Sequence, residues 1–347
     1  FDFIAERETL VKDTEQVPFA AILIETKQHV LGDHFKEPYD SFLDERRFHA
    51  IHRFMQETML PHHFVTEDIL ERRMDEFKVI VLSDQRLIST AMVEQLAKWV
   101  ENGGILIATE LSGIKSGLHK LLGVNVDVEF PHSHGYIEVK NGPLSAGILP
   151  MAHQVKTGFY ITSLDEDVET LADLRSVYLR DDGRYLRLLS PPNGDVVGPA
   201  ISLRYHGQGK AVYFAGDLFS GYTNKNQWNL KLILSNLFGF LTTGEIPVDV
   251  DSPAWIETIP TRKSDDSGMI VHLINYHGSF YDNDQVRFLE KALPIENITV
   301  KVRLEREPAN VSTGPEEGCC SWKYSENILE VTGVKVRIHN ALIIDYK

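Results

Sequence analysis

The chain has 347 residues, 43% of them apolar and 24% charged, with a formal net charge of −15 at pH 7. Such a length accommodates two domains with a hydrophobic core in each, and the negative charge repels phosphate backbones, which argues against nucleic acid as a partner. No apolar run approaches the ~18 residues that a membrane span needs. The two cysteines, Cys319 and Cys320, are adjacent and have no third partner. A disulfide framework is therefore excluded, and both read as small packing residues.

The chain opens FDFIAERE, where Phe1, Ile4 and Leu10 sit among charges. Residues 1–15 read as a linker helix entering from a domain upstream. Residues 17–25 (VPFAAILIE) are a bare apolar run of strand length, as in a strand covered on both faces of a parallel sheet. In DSFLDERRFHAIHRFMQETM, Leu43, Phe48, Ile51, Phe54 and Met55 recur at helical spacing, with Asp40 or Ser41 placed to cap the start. Phe64-Val65 is a short strand, Thr66-Glu67-Asp68 opens another helix, and KVIVLS (78–83) is again a buried strand. Ser89-Thr90 then caps a helix with Val93, Leu96, Ala97 and Val100 on one face. Gly103-Gly104 stops it, and ILIAT (105–109) follows at once. This alternation predicts an α/β fold with a doubly wound, mostly parallel sheet.

From about 125 to 210 the texture changes to short β-rich pieces separated by turn residues, as in an antiparallel extension of the sheet. GKAVYFAGD returns to a buried strand, and the helix NQWNLKLILSNLFGFL closes the first domain, predicted over 16–244. Thr243-Gly244-Glu245-Ile246-Pro247 reads as a linker. Beyond it, residues 245–347 hold strand-length runs such as MIVHLINYH, ITVKVRL and ALIIDY, the pattern of a small all-β sandwich.

Functional groups of open α/β sheets gather at the carboxyl ends of the strands. Here those positions hold Glu25, Asp84, Glu110 and Asp217, which suit a metal, a sugar or basic residues of a neighbour. The plainer account is that acids start helices there and complement the dipole. A cysteine nucleophile would stand in the turn after ILIA, where this chain has Thr109-Glu110-Leu111-Ser112-Gly113, and Ser112-Gly113 lacks the leading glycine of a serine elbow. His132 and His134, in a loop between Pro131 and Gly135, are candidates for ligand or interface contact. His49 and His52 lack the context of a zinc site, so neither metal nor cofactor is expected. The stretch FAGDLFSGYTNKNQW combines Asp217 with Phe219, Tyr222 and Trp228. Aromatic faces beside an acid and amides are what sugar recognition uses, although the same rings serve equally to pack the final helix.

The run FKVIVLSDQRLISTAMVEQLAKWVENGGILIAT resembles the amidotransferase-like trimerisation domain of family 42 β-galactosidases and related glycoside hydrolases. GKAVYFAGDLFSGY with the helix after it resembles the end of that domain, and MIVHLINYHGS with PIENITVKVRL resembles the small β domain that follows. The resemblance spans about residues 15–347. It implies a class I glutamine amidotransferase-like sheet without the thiol nucleophile, and a homotrimer. It also implies a catalytic (β/α)8 barrel ahead of these domains, which holds the catalytic acids. The expectation is a non-catalytic scaffold whose loops approach a neighbour's carbohydrate site; the alternative is a self-sufficient carbohydrate-binding or hydrolytic protein using the Asp217 loop.

Overall fold

The computed structural model describes residues 1–27, 45–177, 192–225, 227–254, 256–276, 281–282, 285–286, 291–316 and 320–347. The cap at Asp40 or Ser41, Leu43, the strands expected within 178–191 and Cys319 lie outside the described residues. Two compact units emerge. One comprises Ala20–Phe54 and His63–Thr243; the other comprises Phe1–Phe19, Met55–His62 and Gly244–Lys347.

The N-terminal segment holds two short helices, α1 (Asp2–Ala5) and α2 (Glu8–Val11), and strand β1 (Thr14–Gln16). The α/β unit then runs through β2 (Ala20–Ile24), α3 (Glu45–Glu57), β3 (His62–Thr66), α4 (Glu67–Arg73) and β4 (Val79–Ser83). Next come α5 (Thr90–Glu101), β5 (Ile105–Thr109), α6 (Leu118–Leu122), β6 (Val124–Glu129), β7 (Gly135–Val139) and β8 (His153–Val155). The unit closes with β9 (Tyr160–Leu164), β10 (Glu169–Val177), β11 (Pro192–His206), β12 (Gly209–Phe214), α7 (Leu218–Lys225) and α8 (Trp228–Leu241).

Among the described residues, nine strands form one sheet in the order β3-β2-β4-β5-β12-β11-β10-β7-β8. The pairs β2/β4, β4/β5 and β5/β12 are parallel, and the pairs from β12 out to β8 are antiparallel. The parallel strands β4 and β5 are buried at every residue, which is why their sequences are near-continuous apolar runs without alternation, polar only at the terminal Ser83 and Thr109. Ser89 caps α5 by accepting the Met92 N–H at 3.1 Å. Gly103 ends that helix at φ +110°, a conformation that costs a side chain dearly. Phe54 packs against Phe219 and Phe238 at ring-centroid distances of 5.4 and 5.3 Å, joining α3, α7 and α8 in one core.

The other unit contains β13 (Val248–Asp251), β14 (Ile256–Lys263), β15 (Gly268–Asn275), β16 (Tyr281–Asp282), β17 (Gln285–Val286) and β18 (Ile295–Arg303). It ends with β19 (Pro308–Gly314), β20 (Ser321–Ser325), β21 (Ile328–Val336) and β22 (His339–Tyr346). A five-stranded sheet, β1-β14-β15-β22-β19, and a four-stranded sheet, β13-β18-β21-β20, share one core. Alternation decides which residues enter it. On β15, Met269, Val271 and Leu273 join that core, whereas Ile270 packs on the other side with Leu10 and Ala341. The mixed α/β class with a β-rich C-terminal part is thus as the sequence anticipates.

Candidate functional site

Sheet register builds the candidate site. Ser83 pairs with Thr109 and Thr109 with Phe214, so the residues just beyond, Asp84, Glu110 and Asp217, emerge together at the carboxyl edge. Gly216 makes this possible: a Cβ there would stand 2.5 Å from the Gly158 carbonyl oxygen. Asp84 and Glu110 both take φ +52°, a left-handed conformation unfavourable for side chains other than glycine and common at functional turns.

The three acids converge on an arginine of the same chain that the sequence reading did not single out. Arg47, on α3, forms a two-pronged ion pair with Glu110, its Nη1 against Oε2 and its Nη2 3.2 Å from Oε1. The same guanidinium lies 3.5 Å from Asp217 and 3.9 Å from Asp84. Arg86 adds a second pair, its Nη2 2.7 Å from Asp84. Asp217 also accepts the Ser220 N–H at 3.0 Å and so caps α7, as the helix-start account expects. The basic group that these carboxylates meet is therefore internal.

Burial disfavours a charged Arg47, yet Glu110, Asp217 and Asp84 together outweigh it and hold the guanidinium firmly charged. For Glu110 the balance falls the other way. Burial, reinforced by Asp84 and Asp217, overrides the attraction of Arg47 and pushes the carboxyl up to about 7. Burial also raises the Tyr213 phenol, with Glu110 adding to it, and its hydroxyl donates to the Glu110 carbonyl oxygen at 2.9 Å.

The other candidates occupy different surroundings. Glu25 is buried; Gln85 Oε1 accepts its backbone N–H at 2.8 Å, and its carboxylate accepts the Lys27 N–H at 3.2 Å. The Ser112 hydroxyl donates to the Leu82 carbonyl and accepts the Gln85 N–H, at 2.9 and 3.0 Å, which makes it a tie between turns. Phe219 and Tyr222 are buried, so their rings serve packing and offer no face for a sugar, whereas Trp228 at the start of α8 is 67% exposed. On either side of Trp228, Asn229 is bonded to His153 Nδ1 and Gln227 to the Gln154 carbonyl, both at 2.8 Å. Those bonds fix Trp228 beside the segment that carries exposed Leu149 and Met151. His132 stacks edge-on against Phe130 at 5.0 Å, and His134 Nε2 is buried with no hydrogen-bond partner among the described residues. Burial, then His132 and Lys156, lowers the His134 pKa. Phe130 is tied to Phe159, whose neighbour Tyr160 feels the charges of Arg86, Asp84 and Glu110, so this loop reaches the same edge as the cluster. Among the described residues, no group of three or more His, Cys, Asp or Glu is placed to hold a metal ion.

The β unit carries a polar relay of its own, which sequence reasoning also missed. Arg7 Nε donates to His339 Nδ1 at 3.1 Å, and His339 Nε2 meets His272 Nδ1 at 3.1 Å, with the rings stacked at 27°. A guanidinium only donates. His339 Nδ1 must therefore be a lone pair and Nε2 a donor, and His272 accepts on Nδ1, which keeps both rings neutral. Burial, followed by His272 and Arg7, lowers His339 to about 4. An open cavity of about 380 Å³ adjoins the relay, lined by Val11, Gln16, Ile259, Thr261, His272 and His339 among others.

No curated protein matches this chain. Residues 20–126 match the family described as β-galactosidase trimerisation domain. Among solved structures, the chain is similar to α-L-fucosidase isoenzyme 2 from Paenibacillus thiaminolyticus, at 18% identity and a TM-score of 0.81, over 100% of this chain and 51% of that one. It is similar to the β-galactosidase from Bacillus circulans sp. alkalophilus at 12% identity and TM-score 0.62, over 99% of this chain and 44% of that one. A family 42 β-galactosidase from G. stearothermophilus gives 14% identity and TM-score 0.58, over 100% and 44%. At these identities the likeness is one of fold. The chain spans about half the length of these proteins.

Proposed function

From the membership of residues 20–126 in the β-galactosidase trimerisation domain family, we propose that this chain is the assembly portion of a glycoside hydrolase. It associates into a homotrimer and supplies no catalytic acid pair of its own. Its edge loops, through His132, His134 and Trp228, contact carbohydrate held by a neighbouring subunit. The amidotransferase-like, doubly wound reading of the α/β unit belongs to the same proposal, and the four parallel strands β2, β4, β5 and β12 support it.

The observation that carries this reading is the state of the sheet-edge acids. Glycoside hydrolysis uses two carboxyl groups facing a scissile bond across an open cleft. Asp84, Glu110 and Asp217 are instead buried around Arg47 and Arg86. An acid so engaged has no face for a substrate. Exposed Trp228, with Leu149 and Met151 nearby, supports a surface made for contact with another molecule. The test is turnover of a panel of aryl glycosides by the purified chain. The reading expects none, and turnover that Asp217→Asn abolishes in a folded protein would overturn it.

A further inference from the structure

The chain holds three Asn-Gly pairs: Asn102-Gly103, Asn141-Gly142 and Asn193-Gly194, the last within β11. An asparagine before glycine is chemically exposed, because no side chain on the next residue shields the backbone nitrogen from the carboxamide carbon. Whether that nitrogen attacks depends on how firmly the fold holds it. The pairs at 102 and 141 differ in this respect.

Asn102 ends α5. Asn102, Gly103 and Gly104 donate their N–H groups in turn to the carbonyls of Lys98, Val100 and Trp99, at 3.1, 2.9 and 3.0 Å. The Gly103 nitrogen is thus bonded back into the helix that it terminates. Asn141 and Gly142 lie instead just beyond β7, in a turn where both are exposed. The Gly142 N–H meets the Ser145 hydroxyl at 3.3 Å, longer than most N–H···O bonds. A Cβ at Gly142 would find nothing within 4 Å, so the space around this backbone is open.

We propose that Asn141 is a site of spontaneous covalent modification, closing a cyclic imide with the Gly142 nitrogen and ending as isoaspartate or aspartate, while Asn102 is held back by its helix end. The Gly142 nitrogen bonds to the Asn141 side-chain carbonyl carbon and gives its proton to water. The Cγ–Nδ2 bond breaks and ammonia leaves. Water then opens the imide at either carbonyl. One water enters for each ammonia released, so the step needs neither an oxidant nor a cofactor. Either product adds one negative charge to the −15 of the chain. Isoaspartate also lengthens the backbone by one methylene. On one side the Lys140 N–H is fixed on the Leu171 carbonyl at 2.9 Å; on the other, Asn236 Nδ2 holds the Leu144 and Ala146 carbonyls at 3.0 and 2.8 Å. The lengthening is thereby confined to residues 141–143.

Incubation of the full chain at pH 7.5, followed by peptide mapping in a mass spectrometer and enzymatic methylation of isoaspartyl residues, tests this. Conversion at Asn141 should exceed that at Asn102 about tenfold, the rate equivalent of one amide hydrogen bond. Asn141→Gln should remove the signal from this turn. Gly142→Ala, which meets no neighbouring atom and needs no left-handed backbone, should slow it strongly. Equal conversion at Asn102 and Asn141 would overturn the proposal, as would a Gly142→Ala variant that converts as fast as the native chain. So would an Asn141 that stays intact in the folded protein while a denatured sample converts. The proposal is separate from the assembly reading, which sedimentation decides on its own.

Discussion

The two units bury polar groups by opposite means. At the edge of the α/β sheet, charges are kept and balanced against one another, with Arg47 facing Glu110, Asp217 and Asp84. On the outer face of the five-stranded sheet, charge is excluded from the rings, and Arg7, His339 and His272 are linked by the direction of their hydrogen bonds. In the first region burial beside Asp84 and Asp217 favours a proton on Glu110. A relay of neutral rings is broken by one, because protonation turns an acceptor nitrogen into a donor facing another donor. Acid should thus tighten one region of the molecule and loosen the other.

The largest expected effect comes from removing the shared cation. Arg47→Met leaves Asp84, Glu110 and Asp217 buried with one guanidinium fewer, a change that costs about 3–5 kcal/mol when a buried pair is broken. Urea unfolding at pH 7.5 should show that loss in the α/β unit, with the β unit unchanged. A loss under about 1 kcal/mol would mean that the acids are solvated and the contrast between the units is false.

The β unit supplies the mirror image. His339 is lowered to about 4 from an ordinary value of 6.5, so the unfolded or detached state binds the proton first as pH falls. Stability from the relay is present above about 6.5 and is lost as pH falls toward 4. Amide protection of residues 7–16 should fall over that window. His339→Gln, which can both accept and donate, should flatten it. A protection that rises on acidification would remove the comparison. The smallest effect on stability is expected at Trp228, which is 67% exposed. Trp228→Ala should change the unfolding free energy by under about 0.5 kcal/mol, so that any loss of association in this variant reports on the surface alone.

The fold was legible where burial alone writes the pattern. The runs AAILI, VIVL and ILIA are apolar at every position because they lie inside a parallel sheet, and Gly103-Gly104 marks a helix end by its backbone freedom. Asp84, Glu110 and Asp217 were legible as strand-end acids. Their partner was not, because Arg47 precedes Glu110 by 63 residues and sits within an amphipathic helical pattern that accounts for its neighbours. The histidine relay was less visible still. It joins residues 67 and 332 apart, and on β15 His272 looks like an ordinary outward position of an alternating strand. Phe219 and Tyr222 mark the limit of composition: the ring chemistry that suits a sugar also suits a core, and here the core holds them.

The central claim is that this chain is built to assemble. Sedimentation equilibrium of the purified protein at pH 7.5, over a wide range of concentration, tests it most directly. The account predicts a particle of three times the chain mass of 39.4 kDa, dissociating more readily in Trp228→Ala. A single species of one chain mass, unchanged up to the highest concentration reached, would contradict it.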